Sequence, residues 1–146
     1  MQVSQVMTKN VTVVDPDCRL VEVARKMKFE DIGCLPVGTG ERLLGIVTDR
    51  DIVLRAVAND MDVHTTTAHD VMSEVVCFCY EDQDIHEAAE MMEDKQIRRL
   101  VVLNRNKKLA GIVSLGDLAS RGDNIDLSGE VLKSLMPAHL VDSSVH

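Results

Sequence analysis

Apolar and polar residues alternate along the first half of the chain in two patterns, one typical of strands and one of helices. Short runs rich in β-forming residues predict three strands, over residues 11–14, 34–37 and 43–47. Between the first two runs, apolar residues recur at helical spacing, at Leu20, Val23, Ala24 and Met27. Thr48 follows the third run and predicts the start of a second helix. The first half therefore has the order strand, helix, strand, strand, helix.

The second half of the chain repeats the first. Residues 6–37 align with residues 71–102 without a gap, and GIVTDRDI (45–52) aligns with GIVSLGDL (111–118). One additional residue in the intervening turn raises the offset from 65 to 66 between the two alignments. The chain therefore contains an internal duplication, and each motif has to be interpreted together with its counterpart.

The duplication predicts the same elements a second time. Strands are expected over residues 76–79, 100–103 and 109–113. The apolar positions of the first helix are Ile85, Ala88, Ala89 and Met92. A second helix starts at Ser114, as the earlier one starts at Thr48. Asp17 and Asp82 precede the first helix of each half and are predicted to be its N-cap.

These elements divide the chain into three regions. The first repeat is assigned to residues 1–62, the second to 63–122, and a tail with a short helix to 123–146. One repeat of this size is a marginal fold on its own. We therefore expect an α+β body of two β-α-β-β-α repeats, related by approximate two-fold symmetry, with their sheets packed on each other. The apolar stripe of the tail would dock on this body or on a second subunit.

Composition and charge exclude several classes of protein. Aromatic residues make up only 2% of the chain, so the core must be built from aliphatic side chains and methionine. The net charge of −8 and the absence of a basic stripe argue against nucleic-acid binding. The sequence shows neither an export signal nor a long apolar segment, which predicts a cytoplasmic protein without membrane contact. In that compartment the four cysteines are expected to be free thiols.

Each half closes with the motif G-h-h-[ST]-x-x-D, where h is apolar, and has VMT or VMS near its start. Together with IGCLPV in the first half, these motifs make the chain similar to the cystathionine-β-synthase (CBS) domain pair, or Bateman module. It resembles in particular the short stand-alone bacterial members. The resemblance covers residues 3–121 and implies two clefts between the repeats, which in this family commonly bind AMP, ADP, ATP or S-adenosylmethionine. It also implies a homodimer.

The resemblance assigns roles to individual residues. Asp51 and Asp117 would contact ribose hydroxyls, and Thr48 and Ser114 would lie near phosphates. The first strand of each repeat would face the adenine, through Val11, Thr12 and Val13 or Val76, Cys77 and Phe78. A helix N-terminus favours phosphate through its unpaired N–H groups, which agrees with these roles.

The closing motifs have a second interpretation that needs no ligand. Thr48-x-x-Asp51 and Ser114-x-x-Asp117 both fit the capping-box pattern, with Asp in place of Glu. The hydroxyl would accept the N–H three residues on, and the carboxylate would favour the positive end of the helix. Cap and ligand contact are compatible, because the cap can form in the empty state.

Three arginines are candidates for phosphate contact. Arg50 lies inside the first closing motif and favours occupancy of the first site, whereas the second motif has Gly116. Arg98 and Arg99 belong to the second repeat, and only one of them would reach a phosphate because adjacent strand residues face opposite ways. The alternative is a solvated surface pair. Val101 stands where the first repeat has Pro36, which departs from the family pattern.

The sequence offers little support for a metal site, a cofactor or catalysis. Cys77 and Cys79 would share one face of a strand and could ligate a metal with His64, His69 and His86, although the ligand spacing of known sites is missing. We predict no metal and no cofactor. No nucleophile–base set and no P-loop is present, so catalysis is not expected. The predicted function is a regulatory sensor that acts on a protein effector in trans. The alternatives are a ligand-independent dimeric interaction module and a metal or redox sensor.

Overall fold

The computed structural model describes residues 1–40, 42–74 and 77–121. The predicted tail (123–146) and the predicted site residue Val76 lie outside these ranges. The chain forms two compact units. One is continuous, Val11–Val76, and is called the continuous unit. The other joins Met1–Asn10 to the chain from Cys77 onward and is called the split unit.

The described elements are, in chain order, a 3₁₀ turn (Val3–Gln5), β1 (Thr8–Lys9), α1 (Leu20–Glu30), β2 (Cys34–Thr39), β3 (Arg42–Thr48), α2 (Asp49–Asp51), a π-helical segment (Ile52–Val57), α3 (Ala68–Val71), β4 (Phe78–Tyr80), α4 (Ile85–Lys95), β5 (Arg99–Leu103), β6 (Leu109–Ser114) and α5 (Leu115–Arg121). Helices and antiparallel hairpins therefore recur in the predicted order. The α+β fold class expected from the sequence is confirmed.

The continuous unit is built on the hairpin of β2 and β3. Its two strands pair antiparallel from Cys34 opposite Thr48 to Thr39 opposite Arg42, with an irregularity after Val37. Helix α1 buries Leu20, Val23 and Met27 in the core of this unit, whereas Ala24 is exposed. The spacing of the buried positions explains why this segment is a helix with one apolar face.

The split unit has a four-stranded sheet in the order β1-β6-β5-β4. β4 and β5 are parallel, and the other pairs are antiparallel. Helix α4 contributes four buried residues to the core, Ile85, Ala88, Ala89 and Met92. The apolar positions predicted for this helix are therefore all buried.

The segment that leads each sequence repeat packs in the unit of the other repeat. Thr8, from VMT, pairs with Ile112 in β6, and Ser73, from VMS, pairs with Ile46 in β3. A glycine permits each approach. A Cβ on Gly45 would lie 2.6 Å from the carbonyl oxygen of Ser73, and one on Gly111 would lie closer still to that of Thr8. The compact units thus differ from the sequence repeats by an exchange of these leading segments.

Two details of the predicted elements are wrong. Only Val14 of the predicted strand 11–14 pairs, in a parallel bridge to Val37. The N-caps are Arg19 and Asp84, two residues beyond the predicted Asp17 and Asp82. The N–H of Asp17 donates to Asp15 Oδ1 (2.9 Å), which forms a turn before α1. The carboxylate of Asp82 accepts two bonds from Arg105, both 2.9 Å.

Candidate functional site

The first closing motif lies where β3 ends and α2 begins. The backbone N–H of Asp51 donates to Thr48 Oγ1 (3.0 Å), and the backbone N–H of Thr48 donates to Asp51 Oδ2 (3.0 Å). Thr48 has an extended backbone with φ −115° and ψ 161°, as an N-cap residue should. The capping box predicted from the sequence is therefore confirmed.

The second closing motif has the same geometry at the junction of β6 and α5. The N–H of Asp117 donates to Ser114 Oγ (3.0 Å), and the N–H of Ser114 donates to Asp117 Oδ2 (2.8 Å). Both carboxylates are half-buried. The two halves of the chain thus build one local structure twice, from different residues at three of the motif's four positions.

Each cap leaves part of its polar chemistry available. The hydroxyl oxygen accepts the cap bond, which leaves its O–H free to donate to an anion. The carboxylate uses Oδ2 for the cap, which leaves Oδ1 to accept from hydroxyl groups. A capped Ser/Thr–Asp pair can therefore hold a ligand without losing the cap.

Arg55 contacts the first closing motif and was missed by the sequence analysis. Its Nη2 lies 3.8 Å from Asp51 Oδ1. Its Nη1 donates to the carbonyl oxygens of Val71 (2.9 Å) and Met72 (3.2 Å), at the end of α3. A signal existed in the sequence, because an arginine follows the aspartate by four residues in both halves, at 55 and 121. Such i,i+4 pairs meet on one face of a helix.

The arginines predicted to contact phosphate lie in different surroundings. Arg99 pairs with Ser114 across β5 and β6, and the carbonyl of Arg98 accepts the N–H of Leu115 (2.8 Å). The arginine pair therefore lies beside the second closing motif. Arg98 and Arg99 are exposed, and so is Arg50 in the first turn of α2.

The equivalent positions beside the first motif hold no arginine. Cys34 pairs with Thr48, and the carbonyl of Gly33 accepts the N–H of Asp49 (3.0 Å). The carboxylate of Asp49 lies 2.8 Å from the place where a Cβ of Gly33 would be. A glycine at position 33 thus makes room for an acidic side chain beside the first motif.

The residues predicted to face adenine are spread over several environments. Thr12 donates its hydroxyl to Glu30 Oε1 (2.5 Å) at the end of α1, and Val13 is exposed. Val11 packs against the core of the continuous unit. In the split unit Cys77 packs against the core, while Phe78 is partly exposed. An adenine-facing role for these residues remains a prediction.

Phe78 begins a series of side-chain contacts that runs from β4 to Arg105. Its ring meets that of Tyr80 edge-on, with centroids 5.5 Å apart. The guanidinium carbon of Arg105 lies 4.1 Å from the centroid of Tyr80, while the same side chain pairs with Asp82. The pKa of the Asp82 carboxyl is lowered, first by the Arg105 hydrogen bonds.

Among the described residues, the cysteines and histidines do not form a metal-binding cluster. Within residues 1–40, 42–74 and 77–121, no group of three or more His, Cys, Asp or Glu side chains is placed to hold a metal ion. Cys79 is buried, and burial raises the pKa of its thiol to about 12. His86 Nδ1 lies 2.7 Å from Asp84 Oδ1, at the cap of α4. Among the described helices, none combines the length and apolar character of a membrane-crossing segment.

Two copies of one α+β repeat, each closed by the same capped motif, define a tandem-repeat domain pair. The CBS domain model matches residues 3–57 and again residues 68–123, and the chain belongs to this family. The resemblance recognised in the sequence is thereby confirmed. The family is one of regulatory modules, and the match indicates no catalytic family.

Several relatives have a similar sequence. The chain is 35% identical over 133 residues to the CBS domain-containing protein YhcV of Bacillus subtilis, covering 91% of this chain and 94% of YhcV. It is 35% identical over 119 residues to the uncharacterised MK0525 of Methanopyrus kandleri, covering 81% of this chain but only 61% of MK0525.

Two solved structures combine the same fold with bound groups. One is Hypoxic Response Protein I with two coordinated zinc ions, at 34% identity and a TM-score of 0.72, covering 82% of this chain and 97% of that one. The other is PAE2072 from Pyrobaculum aerophilum complexed with AMP, at 26% identity and a TM-score of 0.74, covering 91% of this chain and 99% of that one.

Proposed function

We propose that this protein is a non-catalytic sensor of adenosine-containing ligands, namely AMP, ADP, ATP or S-adenosylmethionine, and that it regulates an effector protein in trans. Each closing motif would contribute one binding site. Asp51 and Asp117 would accept bonds from ribose hydroxyls, and Thr48 and Ser114 would donate to phosphate. Support comes from membership of the CBS family and from the similar PAE2072, which is complexed with AMP.

The observation that carries the proposal is the chemistry left over by the two caps. At both motifs the cap uses Oδ2 of the aspartate and a lone pair of the hydroxyl oxygen. One carboxylate oxygen and one O–H donor therefore remain at each motif, and these suit a vicinal diol and a phosphate. Hydrogen bonds to charged groups contribute roughly 1.5–3 kcal/mol each, so a few of them with adenine burial reach micromolar affinity.

The test is thermal unfolding with a ligand panel. AMP, ADP, ATP and S-adenosylmethionine are compared with guanine nucleotides and nicotinamide dinucleotides. At a hundredfold excess over Kd, a bound ligand should raise Tm by about 5–10 °C. The double variant Asp51→Asn/Asp117→Asn should reduce the shift by about half or more, since asparagine can keep a cap but not the charge.

A matched control is available in the same chain. Asp70 Oδ2 accepts the N–H of Thr67 (2.9 Å) in a third capping box, outside both closing motifs. Asp70→Asn should lower Tm without changing the ligand-induced shift. The proposal fails if none of the adenosine compounds shifts Tm at millimolar concentration, or if the double variant keeps the full shift.

We further propose that the protein is a homodimer. The π-helical segment exposes three apolar side chains, Val53 (54%), Leu54 (48%) and Val57 (59%). Clustered apolar exposure of this kind is typical of an interaction surface. Light scattering should give a dimer for the wild type and a monomer for Val53→Asp/Val57→Asp. A monomeric wild type would contradict this part of the proposal.

The same surface also supports the second candidate function, a ligand-independent dimeric interaction module. The two functions differ in one measurement. In the second, the dimer forms and no adenosine compound shifts Tm, because the closing motifs serve only as caps. In the first, the shift is present and depends on Asp51 and Asp117.

A further inference from the structure

The guanidinium of Arg55 contacts three oxygen atoms in two different parts of the continuous unit. One is Asp51 Oδ1 in the first closing motif, 3.8 Å from Nη2. The other two are the carbonyl oxygens of Val71 and Met72, which accept from Nη1 at 2.9 and 3.2 Å. The side chain of Asp51 is only 14% exposed, whereas that of Arg55 is 50% exposed. A single guanidinium thus connects the proposed ribose ligand to the end of α3.

The end of α3 lies in the segment that leads the second sequence repeat. Ser73 follows Met72 and pairs with Ile46 of β3 through two backbone hydrogen bonds, of 2.8 and 2.9 Å. Arg55 suits this place because the last carbonyls of a helix carry partial negative charge. Its planar fork holds five N–H donors in a fixed geometry, whereas the lysine ammonium is a compact point charge on a flexible stem.

We infer that Arg55 couples ligand occupancy at Asp51 to the pairing of Ser73 with Ile46, an inference that rests on the function proposed above. A ribose hydroxyl that donates to Asp51 Oδ1 fixes the carboxylate that Arg55 also contacts. The fixed Arg55 then holds the carbonyls of Val71 and Met72 more firmly. The charge of the fixed carboxylate, 3.8 Å from Nη2, orients the guanidinium toward the two carbonyls.

The inference gives Arg55 a positioning role. It identifies residues 71–73 as the segment whose backbone hydrogen bonds respond to binding at the first motif. Coupling between two sites is reciprocal, so Arg55 must also contribute to ligand affinity. The proposed route starts at the first motif, where Asp51 Oδ1 lies 3.8 Å from Arg55 Nη2.

Amide hydrogen exchange with and without saturating AMP tests the inference. In the wild type, AMP should slow the exchange of Ile46 and Ser73 about fivefold more than that of Val23, which lies in α1 and reports general stabilisation. In Arg55→Gln this excess slowing of exchange at Ile46 and Ser73, relative to Val23, should disappear, and the Kd for AMP should rise about fivefold. Arg55→Lys should behave like Arg55→Gln, because it keeps the charge but lacks the fork.

The matched control removes an arginine that pairs elsewhere. Arg25 Nη1 donates to Glu22 Oε1 (2.6 Å) on the exposed face of α1. In Arg25→Gln, AMP should still slow the exchange of Ile46 and Ser73 by the full excess seen in the wild type. If Arg55→Gln lowers Tm but keeps the excess, Arg55 is merely structural and the inference is overturned. If the wild type binds AMP without this excess at Ile46 and Ser73, the inference fails while the proposed function stands. If neither AMP nor any other adenosine compound of the panel binds, the proposed function fails, and the wild-type measurements alone reveal it.

Discussion

The first closing motif, Thr48–Asp51, and the second, Ser114–Asp117, begin their helices with the same pair of reciprocal hydrogen bonds, but the helices continue differently. After three residues α2 passes into a π-helical segment, Ile52–Val57, in which the N–H of Ala58 bonds to the carbonyl of Val53. Helix α5 is α-helical from Leu115 to Arg121. The cap is therefore set by four local residues, whereas the rest of the helix depends on its surroundings.

The charges around the two motifs also differ. The first has a second acidic residue, Asp49, and an exposed Arg50 in its helical turn, and Arg55 lies 3.8 Å from Asp51. The second has a single carboxylate, with Arg99 at the start of the neighbouring strand and Arg98 just before it. One repeated motif thus offers two electrostatic environments. From the sequence, Arg50 favours phosphate binding at the first site. In the structure, the negative charge of Asp49 also lies at the first motif, and the positive charges of Arg98 and Arg99 lie beside the second.

The largest expected effect is the loss of ligand binding at one motif, which tests whether the two motifs form separate sites. Asp51→Asn and Asp117→Asn, made one at a time, should each remove one of two binding events seen by titration calorimetry. Loss of a hydrogen bond to a charged group should weaken binding at the altered motif about tenfold or more. If either single variant abolishes both events, the motifs do not form separate sites.

The exchange of leading segments gives the next largest effect. Gly45→Ala and Gly111→Ala should each destabilise the protein by about 2 kcal/mol, because the new Cβ meets a backbone carbonyl that cannot yield cheaply. Denaturant unfolding measures the loss. Gly116→Ala is the control of opposite sign, since its Cβ would meet only Ser114 Oγ at 3.5 Å. Alanine there should stabilise α5 by up to about 1 kcal/mol.

A smaller effect concerns the charge beside the second motif. Arg98→Gln/Arg99→Gln should weaken ATP at the second site by about 1 kcal/mol, near fivefold, and reduce the dependence of its binding on salt. AMP, with fewer charges, should be affected less. Equal loss for both ligands would show that the arginines act through the fold and not through phosphate charge.

The smallest effect tests the contact between Asp82 and Arg105 in the split unit. Arg105 lowers the pKa of Asp82, so this carboxylate stabilises the folded state above the ordinary carboxyl pKa of about 3.9. The stabilisation is lost as the pH falls from there through the lowered pKa. Asp82→Asn should make acid unfolding, followed by circular dichroism, begin at a slightly higher pH. Asp17→Asn, at the equivalent position without an arginine partner, should leave it unchanged.

The elements that follow from local pattern could be predicted from the sequence. The hairpins and the capping boxes of the two closing motifs depend on residues that are close in the chain, and the duplication is visible in the sequence itself. The predicted helix starts are two residues early. The Asp82 carboxylate binds Arg105, which is 23 residues away in the chain, and the N–H of Asp17 donates to Asp15 Oδ1 in a turn before α1. The sequence contains no comparable signal for the π-helical segment.

The exchange of leading segments was not predicted, because the repeats follow one another in the chain and contiguous packing is the simplest expectation. The pairing of Thr8 with Ile112 spans more than a hundred residues. Arg55 could have been found from the arginine repeated four residues after each aspartate. The roles of the thirteen predicted site residues as ligand contacts remain predictions, although the structure does place Arg98 and Arg99 beside Ser114.

The same exchange determines the order in which the chain can fold during synthesis. The continuous unit has all its residues once position 76 has left the ribosome. The split unit must wait for α5, about 45 residues later, which takes roughly 2–10 s of translation. It must also close a loop of about 66 residues, at a cost of about 4 kcal/mol in chain entropy. Residues 1–10 therefore emerge first but reach their partners in the split unit last.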